Sequence, residues 1–160
     1  MAEVGFSLGS NLGDKGANLR DALARLAALP ETLILKVSPF YRTAPWGRTD
    51  QDWFVNACAI GETGLDPQTL IRAVKDIEAT LGRIPGERWG PRLIDVDILY
   101  MDDLQVDQTN LKIPHPSLFD RAFVLLPLAD IAPGRTIKGR RVGDAAAALP
   151  RTPGDVVRLP

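Results

Sequence analysis

Residues 93–100 alternate in polarity, and this alternation constrains the fold more than any other feature of the sequence. In an extended strand, successive side chains point to opposite faces, so Ile94, Val96 and Ile98 share one face. Asp95 and Asp97 share the other face, side by side. The pattern therefore predicts a strand with one face against an apolar layer and two adjacent carboxylates on the opposite face.

The two aspartates need a neutralising partner, because like charges two residues apart repel and aspartate is depleted in strands. A hard divalent cation with oxygen ligands is the obvious candidate. Arg83, Arg88 and Arg92 lie just upstream, and guanidinium groups bind phosphate oxygens bidentately. Two carboxylates for metal and three arginines for phosphate indicate a phosphoryl-transfer site. The alternative is a surface Asp-x-Asp whose charges are neutralised by the local arginines.

The length and composition exclude several classes of protein. A chain of 160 residues predicts one domain, residues 1–160, and its net charge of −1 argues against nucleic-acid binding through a general basic field. One cysteine, Cys58, cannot form an internal disulfide and is expected to be a buried, inert thiol, and one histidine excludes a multi-histidine zinc site. We expect no signal peptide, because the first residues have no basic segment followed by a long apolar core, and no apolar run of the given sequence reaches membrane-spanning length. We expect a cytoplasmic monomer that binds neither nucleic acid nor a membrane.

Hydrophobic periodicity predicts the order β-α-β-β-α-β followed by helices, which is typical of a ferredoxin-like α+β sandwich with a mostly antiparallel sheet. The predicted strands are residues 3–8, 33–38, 54–60 and 93–100. Asp66 and Pro67 predict the start of the second main helix. Ser117 and Asp120 resemble a capping box before a helix at residues 122–131. In the tail, residues 134–160, only one further short helix near Ala145 is predicted.

Three local features leave their interpretation open. Asn56 lies on a predicted strand and is suited either to hold a loop or to bind a heterocycle edge; the residue alone favours the structural role. His115 lies between Pro114 and Pro116 and is either plain surface or functional. The glycine-rich turn at residues 9–14 lacks the Gly-Lys-Ser/Thr of a Walker A loop, so any ATP is bound without a P-loop.

Several segments of the chain match a known family in order and spacing. The longest is Arg88-Trp89-Gly90-Pro91-Arg92-Leu93-Ile94-Asp95-Val96-Asp97-Ile98-Leu99. The others are Gly9-Ser10-Asn11-Leu12-Gly13, Phe40-Tyr41-Arg42-Thr43, Asn56-Ala57, Leu81-Gly82-Arg83, Pro114-His115-Pro116 and Leu126-Pro127-Leu128. From about residue 4 to residue 133, the chain resembles the hydroxymethyl-dihydropterin pyrophosphokinases of folate biosynthesis.

The resemblance implies transfer of the β,γ-diphosphate of ATP to the hydroxymethyl group of 6-hydroxymethyl-7,8-dihydropterin, which leaves AMP. It implies that Asp95 and Asp97 bind two Mg²⁺ ions and act in catalysis together with Arg83 and Arg92. The implied ATP-binding residues are Arg83, Arg92, Ile98, Lys112, His115 and Arg121. The implied pterin-binding residues are Thr43, Ala44, Trp46, Phe54, Asn56, Trp89 and Phe123, among which the two phenylalanines sandwich the ring.

Two other classes of protein fit part of the sequence. One is a ferredoxin-like module that binds nucleic acid or a small ligand without catalysis. RNA-binding domains of this fold carry paired aromatic residues in a strand motif that is absent here. The other is a metal-dependent glycosyltransferase that uses Asp-x-Asp, for which 160 residues is short.

Overall fold

The computed structural model describes residues 1–44, 52–82, 93–150 and 155–160. Its strands are β1 (Ala2–Ser10), β2 (Thr32–Val37), β3 (Tyr41–Thr43), β4 (Phe54–Thr63), β5 (Asp95–Met101), β6 (Val106–Gln108), β7 (Leu111–Ile113), β8 (Thr136–Ile137), β9 (Arg140–Arg141) and β10 (Val156–Arg158). Its α-helices are α1 (Lys15–Ala27), α2 (Pro67–Thr80), α3 (Ala122–Ile131) and α4 (Val142–Ala148), and a short 3-10 helix, Leu118–Asp120, precedes α3.

The main sheet has the strand order β10-β3-β4-β1-β5, with antiparallel pairing throughout. The ten-residue strand β4 pairs with β3 along its first part and with β2 along its second part. Two small antiparallel hairpins, β6-β7 and β8-β9, lie outside this sheet. The arrangement confirms the predicted ferredoxin-like α+β sandwich.

The two helices on the first face of the sheet both begin at an aspartate cap, which the sequence predicts for α2 at Asp66 and Pro67. Asp14 accepts a hydrogen bond from the N–H of Ala17 at 3.1 Å and caps α1. Asp66 accepts one from the N–H of Thr69 at 2.8 Å, and Pro67 occupies the first turn of α2. Such caps satisfy backbone donors that the helix itself leaves unpaired.

Helices α1 and α2 bury one face of the sheet, and the apolar side of β5 lies in this layer. Ile94, Val96 and Ile98 are all buried, as the alternation predicts. They pack in one core with side chains from the neighbouring strands and helices, including Phe6, Leu8, Leu19, Leu26, Leu70 and Val74. Asp95 and Asp97 are partly exposed on the opposite face, so the predicted division of β5 is confirmed.

Helices α3 and α4 cover the second face of the sheet, over a core that contains Cys58 and Tyr100. The Cys58 thiol donates a hydrogen bond to the carbonyl of Val124 at 3.4 Å. Burial raises the pKa of this thiol far above its ordinary value, because the thiolate would lose its hydration. The predicted burial of Cys58 is confirmed.

Two predictions about the second half of the chain are wrong. Ser117 makes no side-chain cap, and its backbone N–H donates to Nδ1 of His115 instead, so there is no capping box. Helix α3 begins after Arg121 and covers the predicted residues 122–131. The tail contains α4 as predicted but also the strands β8, β9 and β10, which are too short to show a period of two in the sequence.

None of the described helices could cross a membrane. The longest of them, α2, has 14 residues and is therefore about 21 Å long. The hydrocarbon core of a bilayer requires about 20 apolar residues in a helix.

Candidate active site

Three neighbouring strands bring Asn56, Gly9 and Asp95 into one row across the sheet. Gly9 of β1 pairs with Asn56 of β4 on one side and with Asp95 of β5 on the other. Directly paired residues of antiparallel strands place their side chains on the same face. Asn56 and Asp95 therefore share the second face of the sheet, separated by two strand spacings or about 10 Å. Because Gly9 has no side chain, the amide of Asn56 can extend over this position.

The amide of Asn56 occupies space that a side chain at position 9 would take. A Cβ atom built on Gly9 would lie 2.8 Å from Nδ2 of Asn56 and 3.8 Å from Cδ1 of Phe54. Asn56 is buried, and within the described part of the chain its Oδ1 has no hydrogen-bond partner. A buried polar atom without a partner costs about 1–3 kcal/mol. The amide is thus suited to a ligand that brings an N–H donor to a candidate pocket beside Asn56, Gly9 and Phe54.

Strand β3 forms the next wall of this pocket. Thr43 pairs with Phe54, and Tyr41 pairs with Asn56, so the four side chains lie on one face. The hydroxyl of Thr43 is buried, and the described residues offer it no hydrogen-bond partner. Together with Asn56, it gives the pocket two polar groups that a ligand could satisfy.

Asp95 and Asp97 form an acidic pair on the same face. Burial raises the pKa of Asp97, and the neighbouring Asp95 carboxylate raises it further, since both disfavour a second negative charge. His115, Lys75 and Arg121 act in the opposite direction. The pair therefore favours a bound cation that removes the repulsion between the two carboxylates.

The donor set fits Mg²⁺. Oxygen ligands from one or two carboxylates, completed by water and substrate phosphates, are the usual protein sites for this ion. Within residues 1–44, 52–82, 93–150 and 155–160, no cluster of three or more His, Cys, Asp or Glu side chains could hold a metal on its own. Asp95 and Asp97 thus suit an ion that is shared with a phosphate-bearing substrate.

His115 lies beside the acidic pair in one defined tautomer. Its Nδ1 accepts a hydrogen bond from the N–H of Ser117 at 3.1 Å, so the proton of the neutral ring is on Nε2. Nε2 lies 3.9 Å from Oδ2 of Asp97. The backbone N–H of His115 donates a hydrogen bond to the carbonyl of Leu99 at 2.8 Å. Burial lowers the pKa of His115 more than Asp97 raises it, and Arg121 lowers it as well. The ring is therefore a neutral donor that presents Nε2–H towards Asp97.

Glu78 is a site-supporting residue that the sequence analysis missed. Its side chain is fully buried on α2, and Oε2 accepts a 2.8 Å hydrogen bond from the N–H of Val96. Lys75 lies 3.2 Å from the other carboxylate oxygen. A sequence signal existed, because Glu78 follows Val74 by four residues and so continues the buried stripe of the helix.

The remaining predicted site residues are dispersed around this face. The Ile98 side chain is buried in the first core, so only its backbone can meet a nucleotide. Lys112 is exposed on the β6-β7 hairpin and forms an ion pair with Asp107. Arg121 precedes α3 with its Cζ 5.7 Å from the ring centroid of Phe123, which is partly buried. Ala44 follows the last residue of β3, while four predicted residues lie outside the described part of the chain: Trp46, Arg83, Trp89 and Arg92.

Comparison with known proteins gives a consistent result. A family model described as 7,8-dihydro-6-hydroxymethylpterin-pyrophosphokinase (HPPK) matches residues 5–133. The 2-amino-4-hydroxy-6-hydroxymethyldihydropteridine pyrophosphokinase of Methylorubrum extorquens is 48% identical over 149 residues, which cover 93% of this chain and 94% of the relative. A protein of the same name from Pseudomonas aeruginosa is 43% identical over 151 residues, covering 94% and 93%.

The fold also matches solved structures. HPPK-DHPS of Plasmodium falciparum, crystallised with pteroate, superposes with a TM-score of 0.74 at 15% identity. The match covers 91% of this chain and 42% of that longer chain. At this identity the likeness shows a shared fold.

Proposed function

The chain belongs to the 7,8-dihydro-6-hydroxymethylpterin-pyrophosphokinase family, and on that premise we propose that it transfers the diphosphate of ATP to 6-hydroxymethyl-7,8-dihydropterin in a Mg²⁺-dependent reaction. Membership confirms the resemblance of the sequence and identifies the chain as an ATP-dependent pyrophosphokinase of folate synthesis. Family membership argues against the two alternative classes, a metal-dependent glycosyltransferase and a binding module without catalysis.

The reaction balances with AMP as the second product. The hydroxymethyl oxygen of the pterin attacks the β-phosphorus of ATP, and the bond from that phosphorus to the α,β-bridging oxygen breaks. The bridging oxygen leaves on AMP, and the hydroxyl proton is released. The protein must therefore hold the pterin hydroxyl and the β-phosphate together and offset the charge on the phosphate oxygens.

The proposal depends chiefly on the row that Asn56, Gly9 and Asp95 form across the sheet. A pterin has an N–H donor and a carbonyl acceptor side by side on its pyrimidine edge, which an asparagine amide complements with Oδ1 and Nδ2. Its hydroxymethyl group is on the other ring, away from that edge. A pterin bound at Asn56 and lying over Gly9 therefore directs its hydroxyl towards Asp95, while Phe54 and Phe123 offer faces for stacking.

The phosphate half of the site is proposed at β5. Asp95 and Asp97 are the proposed ligands of two Mg²⁺ ions, which when bound would offset the charge of the phosphate oxygens and polarise the phosphorus under attack. The Nε2–H of His115 lies beside Asp97, and Arg121 acts electrostatically on the same carboxylate, so both are suited to donate to phosphate oxygens.

The other nucleotide contacts are proposed from family membership and strand geometry. The N–H of Val96 points to the edge of β5 that no described strand covers, so by alternation that of Ile98 points there too and is available to adenine. Lys112 is proposed near the nucleotide as well. Arg83 and Arg92 are proposed to bind phosphates, and three residues are proposed to complete the pterin pocket: Ala44, Trp46 and Trp89.

The test is a product analysis. The purified protein is incubated with ATP, Mg²⁺ and 6-hydroxymethyl-7,8-dihydropterin, and nucleotides are separated by ion-exchange chromatography. We expect AMP in proportion to pterin diphosphate, no AMP after addition of EDTA, and none with 6-methyl-7,8-dihydropterin, which lacks the acceptor hydroxyl. ADP as the product would mean an ordinary kinase, and the absence of both would refute the proposed reaction.

A further inference from the structure

The last strand of the chain, β10, lies along the outer edge of β3. Val156 pairs with Thr43, and the pairing continues antiparallel along the strand. One backbone hydrogen bond extends this pairing at each end. The N–H of Ala44 donates to the carbonyl of Asp155 at 2.9 Å, and the N–H of Leu159 donates to the carbonyl of Phe40 at 2.8 Å. The C-terminal residues 155–159 thus pair with the backbone of residues 40–44 along its length.

Strand β3 has few other backbone partners among the described strands. It has three residues, and on its other side it pairs only with the first three residues of β4. Side-chain contacts in the described residues add to this: the Tyr41 hydroxyl donates to the Asp130 carboxylate on α3, and the Arg42 guanidinium lies 4.5 Å from the ring centroid of Trp53. Within the described residues the Thr43 hydroxyl has no hydrogen-bond partner at the other end of β3, where Thr43 and Ala44 lie next to Phe54. Their backbone position depends on β10.

We propose that β10 is a positioning element for the pterin half of the site, an inference that rests on the proposed function. By pairing with β3, it holds Thr43 and Ala44 where they can line the pterin pocket. The phosphate half, with Asp95 and Asp97 on β5, lies three strands further along the sheet. Loss of β10 pairing should therefore weaken pterin binding selectively and leave nucleotide binding intact.

Strand β10 can open without unfolding the protein. It is a three-residue edge strand, and the Val157 side chain remains 37% exposed. Segments with few buried apolar contacts open at a small fraction of the global free energy of unfolding. Since coupling between two equilibria is reciprocal, pterin binding must strengthen the docking of β10 by the same factor by which β10 strengthens pterin binding.

The strand geometry provides a matched pair of variants. Hydrogen-bonded pairs alternate along antiparallel strands, so the bonds at 44/155 and 40/159 place Val157 and Arg42 in the hydrogen-bonded pair between them. The N–H of Val157 therefore faces β3, and that of Arg158 faces away from the sheet. Val157→Pro removes a bond to β3, whereas Arg158→Pro introduces the same ring without removing one.

The experiment is calorimetric titration of full-length wild type, Val157→Pro and Arg158→Pro with 6-hydroxymethylpterin and, separately, with Mg²⁺ and a non-hydrolysable ATP analogue. We expect Val157→Pro to weaken pterin binding about tenfold through the lost hydrogen bond, and Arg158→Pro to change it less than about twofold. Nucleotide affinity should stay within about twofold of wild type in both variants. Equal pterin affinities in the two variants, or equal losses for the two ligands, would overturn the proposal.

Hydrogen exchange on the wild type provides a test that needs no variant. Saturating pterin should slow exchange of the Leu159 amide, which donates to Phe40 outside the pocket, and leave the Gly64 amide, which donates to Glu31, unchanged. An unchanged Leu159 amide would overturn the role of β10 even if Val157→Pro failed to fold. If wild type binds no pterin, the proposed function fails as well, whereas normal pterin binding with unaffected variants refutes only the role of β10.

Discussion

The carboxylate of Glu78 accepts a 2.8 Å hydrogen bond from the backbone N–H of Val96, the residue between Asp95 and Asp97. This N–H points away from β1, and because β5 is the last of the described strands on its side of the main sheet, none of them pairs with it there. Helix α2 satisfies it with a buried side chain. The contact thus ties α2 to the backbone that presents the acidic pair.

Replacement of Glu78 should destabilise the protein. In Glu78→Ala the N–H of Val96 loses its partner in a buried position, and we expect the free energy of unfolding to fall by about 1–3 kcal/mol. Lys75→Ala removes the exposed partner of the same carboxylate and should cost less than about 1 kcal/mol. Urea unfolding of both variants measures this, and equal losses would contradict the assigned contact.

Removal of either charge of the acidic pair should abolish most of the activity while the fold persists. Asp95→Asn and Asp97→Asn keep the side-chain shape but halve the charge available to the cation, so we expect kcat to fall at least about 100-fold. Asp76→Asn makes the same charge change on the exposed side of α2 and serves as the control. Turnover close to wild type at saturating Mg²⁺ in either variant would exclude these aspartates as metal ligands.

The pterin pocket can be separated from the nucleotide site by affinity. Asn56→Ala removes the amide that is proposed to bind the heterocycle edge, and Phe123→Ala removes a proposed stacking face. We expect each to weaken pterin binding about 10- to 100-fold, and to alter binding of an ATP analogue little. Isothermal calorimetry with each ligand measures the difference. Parallel losses for both ligands would mean that the pocket is assigned wrongly.

Two glycines of β1 should respond differently to the same substitution. In Gly9→Ala the new methyl group meets the end of the Asn56 side chain, which can turn away, so we expect weaker pterin binding at little cost in stability. In Gly5→Ala it meets the Tyr100 ring, which a 2.7 Å hydrogen bond to Glu3 holds in place. We expect a loss of about 1–3 kcal/mol in unfolding free energy there. Thermal unfolding and pterin titration of both variants measure this; the reverse pattern would refute it.

The N-cap of α2 should give a pH-dependent contribution to stability. The hydrogen bond from the N–H of Thr69 lowers the pKa of Asp66 in the folded protein below its ordinary value. The carboxylate therefore stabilises the fold above the ordinary pKa, and this contribution is lost as the pH falls through the lowered one.

The corresponding measurement compares wild type with Asp66→Asn, which keeps an acceptor oxygen but does not titrate. The Tm of wild type relative to this variant should fall when the pH is lowered from about 7 to about 2.5. Asp66→Ala should have a lower Tm than wild type at about pH 7. A Tm difference between wild type and Asp66→Asn that does not change with pH would exclude this role of the carboxylate.

Local physical chemistry made much of this protein predictable from its sequence. The division of β5 into an apolar and an acidic face follows from the alternation of side chains along a strand. Asp66 and Pro67 mark the start of α2, because the unpaired backbone N–H groups at a helix start need an acceptor nearby. The same reasoning failed at Ser117. The sequence has the spacing of a capping box there, but the Ser117 side chain caps no helix, and its backbone N–H donates to the His115 ring.

The tertiary structure alone decided the relationships between distant parts of the chain. The row that joins Asn56, Gly9 and Asp95 depends on the register of three strands, and register is set by packing over the whole sheet. The contact between Glu78 and Val96 and the pairing of β10 with β3 likewise join segments that no local period relates. A side chain's propensity describes its own backbone, whereas these contacts exist because burial of two apolar faces leaves only one arrangement in which the strands and helices meet.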